Sequence, residues 1–338
     1  MRVRTTTVHV LIACGLAGVA GAQSPRTHRL EATPATVAYG YYDAAAAPVL
    51  RIASGDIIDV DTMLTSTPDR LAQAGVPLDR IQASLKAIVT TVTNRGPGGH
   101  ILTGPVFVEG AAPGDTLEVK ILSIDFPIDY GYNGCRGFLP ENCGEPSTKI
   151  IPIDAARGMA TFAPGIDIPL RPFFGSMGVA PPPSKGRVSS NPPHTHAGNL
   201  DNKELVAGTT LLIPVHVAGA LFEVGDGHAA QGDGEVDQTA IETSLRGRLQ
   251  LTVRKGAPLA WPRAETATHH ITMGADENLT QATKIAIQEA VDFLSSTRGL
   301  TRMDAYRLVS IGCDVRVTQL VDGNVGVHVM IPKSLFAK

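Results

Sequence analysis

The chain has 338 residues, and its 29 lysines and arginines against 32 aspartates and glutamates give a formal net charge of −3 at pH 7. Because no basic block is present, this charge argues against nucleic acid as the main partner. The low charged fraction of 18%, together with 35 glycines and 24 prolines, favours a strand-rich chain in which helix is the minority element.

The N-terminus carries the pattern of a signal peptide over residues 1–22. A basic "MRVR" precedes the apolar "TTTVHVLIACGLAGVAGA", which ends in the small residues Ala20-Gly21-Ala22. We expect cleavage after Ala22 and a periplasmic or secreted product. A lipobox at Cys14 is a weaker alternative, because the apolar run before it is short and continues after it. No other apolar run is long enough to cross a bilayer.

Three cysteines remain in the processed chain. Cys135 and Cys143 flank a loop rich in glycine and proline, and their spacing allows a local disulfide in an oxidising compartment. Cys313 is left over as a buried thiol. Since the sequence has no C-x-x-C pair, a thiolate zinc site is not expected.

The first three quarters of the chain are predicted to be rich in β-structure. Two apolar runs around Ser54-Gly55 predict one hairpin, and the alternation from Val106 to Ile121 predicts a second one. Residues 129–191 are predicted to be loop-like, because glycines and prolines interrupt them repeatedly. Further strands are predicted at "TTLLIPVHV", "ALFEVGD", "EVDQTAIETSL" and "RLQLTV".

Helix is predicted only in the last quarter. "ENLTQATKIAIQEAVDFLSS" has a broad apolar face, Gly299 is a stop signal, and "RMDAYRLVSI" predicts a second, shorter helix. Two strands follow around the turn Asp322-Gly323-Asn324. The predicted fold class is mainly β, with sandwich- or barrel-like sheets over residues 30–265. A smaller C-terminal α+β segment, residues 266–338, is expected to complete the same catalytic unit.

Two short clusters hold residue types that bind metals. "GDGHAAQGDGE", residues 225–235, places three carboxylates and an imidazole between four glycines, in an expected connection between two strands. "NPPHTHAGNLD", residues 191–201, adds further imidazoles and carboxylates. Such a mixed donor set suits zinc, iron or manganese, whereas an all-oxygen site suits calcium. A solvated turn would explain the first cluster alone, and the presence of both clusters favours a cation site.

The same segments resemble the motifs of a known family. Five segments are similar, in this order, to motifs of the acetamidase/formamidase family: "GHILTGPVFVEGAAPGDTLEV", "HAGNLD", "IPVHVAGALFEVGDGHAAQGDGEV", "TAIET" and "DAYRLVSIGCDVRVTQLVDGNVGVHVMIPKSLF". The resemblance extends from about residue 99 to residue 336. It implies a β-rich, metal-binding enzyme that hydrolyses a short linear amide, and it implies a homo-oligomer, expected to be a dimer.

The resemblance also implies which residues form the site. The metal candidates are Asp201, Asp226, His228, Glu235 and, next in line, His196. The substrate-binding candidates are Asn199 and His216. The catalytic candidates are Glu235 or Asp226, as the carboxylate that takes a proton from water, and His100, which lies in the "GHILTGP" motif.

A metal would polarise the amide carbonyl and activate water, and zinc is favoured over calcium as the divalent ion. No G-x-S-x-G elbow and no cysteine beside an obvious base supports a covalent route. The sequence therefore predicts an exported, metal-dependent amidohydrolase acting on a formamide- or acetamide-like substrate. The alternative is a periplasmic or extracellular β-protein that binds a ligand through a cation without turnover.

Overall fold

A computed structural model describes residues 24–336, and the predicted signal peptide lies outside this range. The first strands are β1 (Thr27–Leu30), β2 (Val37–Tyr39), β3 (Tyr41–Tyr42), β4 (Leu50–Ile52), β5 (Ile57–Asp61), β6 (Ile101–Val108) and β7 (Thr116–Asp125). They are followed by β8 (Tyr130–Gly134), β9 (Thr148–Asp154), β10 (Met159–Ala163), β11 (Ile166–Pro169), β12 (Phe173–Gly178), β13 (Val188–Ser189) and β14 (Ala197–Asn199). The last strands are β15 (Thr210–Pro214), β16 (Phe222–His228), β17 (Glu242–Thr243), β18 (Arg246–Arg254), β19 (Arg263–Glu265), β20 (His269–Asp276), β21 (Asp314–Gln319) and β22 (Val325–Pro332). The α-helices are α1 (Pro68–Gln73), α2 (Ala83–Thr91), α3 (Leu279–Arg298) and α4 (Arg302–Gly312).

Two large sheets contain most of these strands, which confirms the prediction of a mainly β chain. One sheet has nine strands in the order β1-β5-β18-β7-β15-β19-β20-β22-β21. The other has eleven strands along the path β11-β10-β9-β8-β17-β16-β12-β14, with β6 joined to β16 and with β2 and β4 joined to β6. Strand β16 is central: β12 pairs along one edge, while β6 and β17 share the other edge.

The main hydrophobic core lies between the two sheets. Ile58, Leu117 and Leu249 come from the nine-stranded sheet, whereas Phe174 and Val224 come from the eleven-stranded sheet, and all five are fully buried. Each such side chain contributes about 1.5–3 kcal/mol to folding. The sheets therefore pack face to face as a sandwich.

The C-terminal helices form where the sequence predicts them. The side chain of Asn278 caps α3 by accepting a hydrogen bond from the N–H of Gln281 at 3.1 Å, and α3 ends at Gly299, whose φ of 65° is left-handed. Strands β20, β21 and β22 extend the nine-stranded sheet. The predicted hairpin around Asp322-Gly323-Asn324 is confirmed, because β21 and β22 pair antiparallel.

Both predicted N-terminal hairpins are wrong. Strands β4 and β5 flank Ser54-Gly55, yet β4 pairs with β6 in one sheet and β5 pairs with β1 and β18 in the other. Strands β6 and β7 also belong to different sheets. The turn between β4 and β5 and the turn between β6 and β7 each cross from one sheet to the other. Two consecutive strands can bury side chains in one shared core without pairing with each other.

Three further predictions need correction. Residues 129–191 are not loop-like, since they contain strands β8 to β12. Helix is not confined to the last quarter: α1 begins at Pro68, with Thr67 as its N-cap, and α2 follows. The predicted strands over 235–245 and 209–217 shrink to β17 and β15. Within residues 24–336, no helix is both long and apolar enough to cross a bilayer.

Cys135 and Cys143, whose spacing allows a local disulfide, form one in the structure. Cys313 is a free, half-buried thiol, and burial raises its pKa to about 11. At neutral pH this thiol is therefore protonated and a poor nucleophile. It has no place in the site described below.

Candidate metal and active site

The two sequence clusters meet at strand β16. Asp226 and His228 lie on β16 itself, so the "GDGH" part of the motif is strand and only the residues after it form a loop. Asp201 follows β14, and Glu235 lies in the loop that follows β16. The ligand atoms of Asp201, Asp226 and His228 lie within 4.8 Å of one another. The structure thus brings together four of the five metal candidates.

Two more carboxylates join this group. Glu242 lies on β17 directly opposite His228 in the β16–β17 register, and its Oε1 is 3.3 Å from His228 Nε2. Asp322, in the β21–β22 connection, groups with Asp201 and Glu235. Neither residue is among the site candidates from the sequence, because Asp322 is part of a predicted turn and Glu242 has a plain explanation as a strand-edge or loop carboxylate. The residue opposite His228 can be identified only once the pairing of β16 with β17 is known.

The position of His228 Nε2 between two carboxylates requires either a proton or a cation there. Its Nδ1 is 2.9 Å from Oε1 of Gln231, whose Nε2 donates to the backbone oxygen of Asp201 at 2.7 Å. Gln231 therefore accepts the Nδ1 proton, and in the neutral ring Nε2 presents a lone pair. That lone pair faces Asp226 Oδ2 and Glu242 Oε1, both at 3.3 Å. Such an arrangement is repulsive unless a proton or a metal lies between the groups.

Several carboxylate oxygens of the cluster are buried without a partner. Among the residues that the structure describes, no hydrogen bond reaches the following atoms: Asp201 Oδ1, Glu235 Oε2, Glu242 Oε2 and Asp322 Oδ2. Each buried polar atom left in this way costs about 1–3 kcal/mol. A cation would satisfy these oxygens together, and a donor set of several carboxylates and one imidazole fits a divalent metal.

The pKa values reflect the same crowding. Burial raises the pKa of Asp201 well above its usual range, and the neighbouring Glu235 raises it further. Burial also raises the pKa of Asp322, to about 6. Burial opposes ionisation of Asp226 as well, but His100 and His228 outweigh it and lower that pKa. Burial lowers the pKa of His228, yet the carboxylates of Glu242 and Asp226 raise it overall.

The backbone brings these carboxylates together at a conformational cost. Asp201, Asp226 and Glu235 have φ angles of 48°, 57° and 42°, in the left-handed region that L-residues seldom adopt. Gly175 on β12 leaves the space they need, since a Cβ there would lie 2.4 Å from Asp201 Oδ1 and 2.6 Å from Asp226 Oδ2. Strained carboxylates around an empty Cβ position are typical of a functional site.

The cluster lines one wall of a pocket of about 240 Å³. His100 also lines it, with Nε2 at 3.7 Å from Asp226 Oδ2 and Nδ1 at 3.0 Å from the hydroxyl of Ser190. Asn199 lines the pocket and donates through Nδ2 to Asp201 Oδ2 at 2.6 Å. The positions of His100 and Asn199 are compatible with their predicted roles beside the metal candidates.

The structure does not bring His196 or His216 to this cluster. His196 is buried edge-on against the ring of Tyr42, with ring centroids 5.1 Å apart, and burial lowers its pKa to about 3. His216 hydrogen-bonds the backbone of Thr195. Neither imidazole lines the pocket. Ala197, between His196 and Asp201, has a left-handed φ of 63°, and His216 lies on a separate segment that follows β15.

Comparison with known proteins identifies the family of this chain. The profile of the Acetamidase/Formamidase family matches residues 92–187 and 184–338. The chain therefore belongs to the acetamidase/formamidase family.

Individual relatives support this assignment. A crystal structure of an acetamidase from Bacillus halodurans superposes with a TM-score of 0.78 at 30% identity, over 91% of this chain and 98% of that one. A formamidase of Methylophilus methylotrophus is 28% identical over 40% of this chain and 47% of its own length. An acetamidase of Mycolicibacterium smegmatis is 26% identical over 41% and 49%. The chain thus matches about half the length of these curated relatives.

Proposed function

We propose that this protein is an exported, metal-dependent amidohydrolase that cleaves a short linear amide to a carboxylate and ammonia. The observation that carries the proposal is the buried group of carboxylates around His228 at the wall of a small pocket, four of whose oxygens have no hydrogen-bond partner among the described residues. The names of the acetamidase and formamidase relatives support the substrate class.

The residues that would hold the metal are Asp201, Asp226, His228, Glu235, Glu242 and Asp322. A divalent metal supplies Lewis acidity toward the amide carbonyl and lowers the pKa of water. In the reaction, the oxygen of water adds to the acyl carbon and the C–N bond breaks. The nitrogen takes one proton of that water and leaves as ammonia, and the other proton is released as the acid ionises to the carboxylate.

The chain's own residues move the protons and hold a ligand carboxylate in place. Glu235 would hold the metal through one carboxylate oxygen, and its second oxygen, at the pocket wall, is then placed to accept a proton from water. His100 lines the same pocket beside Asp226 and can deliver a proton to the departing nitrogen. Asn199 is fixed between Asp201 and the hydroxyl of Ser176, which keeps the carboxylate of Asp201 in one orientation.

Export is part of the proposal. It is supported by the signal-peptide pattern of residues 1–22 and by the disulfide between Cys135 and Cys143, which suits an oxidising compartment. N-terminal sequencing of the protein recovered from the periplasm or medium tests this directly, with Gln23 expected as the first residue.

A dimer is proposed from the family resemblance. Met303, Tyr306 and Ile311 on α4 expose 60%, 61% and 83% of their surface, which supplies an apolar contact area at one end of the molecule. Size-exclusion chromatography with light scattering measures the mass, and a monomer would contradict the proposal.

The function is tested by ammonia release from formamide, acetamide and propionamide before chelation, after chelation, and after Zn²⁺ or Ca²⁺ is restored. We expect activity that is lost on chelation and recovered with metal. Glu235→Gln should lower kcat by about 10²–10⁴. Its matched control is Glu109→Gln, at an exposed carboxylate paired with Arg51. Metal binding without cleavage of any amide would favour the ligand-binding alternative.

A further inference from the structure

Two arginine side chains line the pocket opposite an otherwise acidic wall. Arg70 is half-buried on α1, and Arg136 is exposed in the loop closed by the Cys135–Cys143 disulfide. Among residues 24–336, neither guanidinium forms an ion pair with a carboxylate, unlike most arginines of this chain. Two unpaired cations at one small pocket repel each other, so their placement needs a reason.

Arg70 is held rigidly at this position. Its Nε donates to the hydroxyl of Thr148 at 2.9 Å, and its guanidinium lies 5.2 Å from the ring centre of Tyr132. A Cβ on Gly134 would lie 2.7 Å from Nη2, so the glycine leaves room for the guanidinium. Within the described part of the chain, both Nη groups remain free to donate.

Arg136 is positioned by the disulfide loop. It directly follows Cys135, its N–H donates to the backbone oxygen of Asp237 at 3.3 Å, and the N–H of Phe138 donates to Val236 at 2.8 Å. This loop is therefore fastened to the segment immediately after Glu235. No hydrogen bond from its guanidinium to another described residue is found, so its donors are available to a ligand.

Both arginines act on the same wall of the pocket. The guanidinium of Arg70 lies 5.2 Å from the centre of the Tyr132 ring, and Arg136 lines the same pocket as both side chains. Burial raises the pKa of the Tyr132 hydroxyl, and the charges of Arg70 and Arg136 both act against this rise. The Tyr132 hydroxyl donates to the backbone oxygen of Thr65, and Thr65 Oγ1 donates to Asp226 Oδ1 at 3.0 Å. Thr65 therefore connects Tyr132, which lies on the side of the arginines, with the metal candidate Asp226.

We propose that the substrate is a linear amide that carries a carboxylate at its far end, and that Arg70 and Arg136 bind this carboxylate. The inference rests on the proposed function and narrows its substrate class. Guanidinium forks match carboxylate geometry, and the planar donors of two arginines can hold one carboxylate from two sides. The pocket volume of about 240 Å³ is below the range of roughly 300–1,000 Å³ that is usual for drug-sized ligands, which suits a short molecule.

A simpler explanation is that the arginines only balance the charge of the acidic cluster. In that case their loss would weaken metal binding and slow the hydrolysis of every amide by the same factor. Recognition of a carboxylate instead changes the preference between a charged and an uncharged substrate. The two explanations therefore predict different values for the ratio of the rate with the charged substrate to the rate with the uncharged substrate.

The test compares succinamate with butyramide, in which a methyl group replaces the carboxylate. Hydrolysis of succinamate gives succinate and ammonia, and water is the only co-reactant. We measure kcat/KM for both amides with the metal-loaded mature protein, with Arg136→Gln, with Arg70→Gln, and with Arg307→Gln. The last is a control at an exposed arginine on α4, which pairs with Asp304 and does not line the pocket.

We expect the wild-type protein to prefer succinamate, and we expect each pocket variant to lower the succinamate-to-butyramide ratio by about tenfold. The Arg307→Gln control should keep the wild-type ratio. A wild-type ratio of one or less, or a ratio that neither pocket variant changes, overturns the inference while amide hydrolysis itself stands.

A binding measurement decides the case in which no amide is cleaved. Calorimetry of succinamate with the metal-loaded protein then reports recognition without turnover, so the proposed function and this inference fail separately. Binding that Arg136→Gln or Arg70→Gln weakens about tenfold, and that Arg307→Gln leaves intact, supports carboxylate recognition. Absence of binding, or binding that both pocket variants retain, overturns it.

Discussion

Replacement of Gly175 by alanine is the sharpest test of the metal site. Gly175 lies in the middle of β12, which pairs with β14 on one side and with β16 on the other. A methyl group there would lie 2.4 Å from Asp201 Oδ1, 2.6 Å from Asp226 Oδ2 and 2.9 Å from His228 Cε1. The backbone cannot give way easily, because the carbonyl of Gly175 also accepts the N–H of Asp201 at 3.1 Å.

The magnitude follows from these distances. Ordinary contact begins near 3.4 Å, so the two carboxylate oxygens must withdraw by roughly 0.8–1 Å. Metal–ligand distances tolerate only about 0.2 Å. Gly175→Ala should therefore weaken zinc binding at least about 100-fold, with a corresponding loss of amide hydrolysis. The metal-free protein should lose only about 1–3 kcal/mol of its free energy of unfolding, the usual cost of one extra methyl group in a packed interior.

Zinc affinity is measured by calorimetry on metal-free protein, and the free energy of unfolding by urea denaturation. Gly232→Ala is the matched control, since it lies between His228 and Glu235 and a Cβ there meets no atom within 4 Å. The control should bind zinc like the wild type. If Gly175→Ala binds zinc within about threefold of the wild-type affinity, these carboxylates are not the ligands.

Two further predictions concern stability. Replacement of both Cys135 and Cys143 by serine opens a loop of eight residues' separation and should lower the free energy of unfolding by about 2.5 kcal/mol. It should also raise KM for succinamate by releasing Arg136, and an unchanged KM would argue against the disulfide as the positioning element. The second prediction concerns pH: burial lowers the pKa of His328 to about 4, below its ordinary 6.5, so the unfolded chain binds the proton more tightly than the folded one. Stability should therefore fall by about 3 kcal/mol as pH drops from 6.5 to 4, and His328→Asn should flatten this slope in urea titrations at several pH values. An equally steep slope in the variant would assign the effect to other groups.

The sequence predicts the parts of the fold that depend on local signals. Helix α3 is predictable because its apolar face, the Asn278 cap and the Gly299 stop lie within one continuous segment. The hairpin of β21 and β22 is predictable for the same reason. The pairing partners of the four strands from β4 to β7 are not predictable in this way. Alternation shows which face of a strand is buried but not which strand lies beside it.

The candidate site also contains residues that the local sequence identifies and residues that only the strand pairing brings in. Asp226, His228 and Glu235 are found from one motif, since they lie close together in the sequence. Glu242 reaches His228 only through the register of β16 and β17. Gly175 could have been found in principle, because a glycine inside an apolar run often marks a close approach to a ligand. The prediction of a loop over residues 129–191 hid that signal.

The left-handed backbone conformations at the site argue that its carboxylates have a role other than folding. Asp201, Asp226 and Glu235 each occupy a left-handed conformation that glycine would adopt without strain, and glycines flank Asp226 and precede Glu235 in the sequence. A left-handed L-residue costs about 1–3 kcal/mol, so three of them cost several kcal/mol in the folded state. Folding alone would be served better by glycine at these positions. The carboxylates at these positions therefore serve binding, and a bound cation would offset the strain, the burial and the mutual repulsion together.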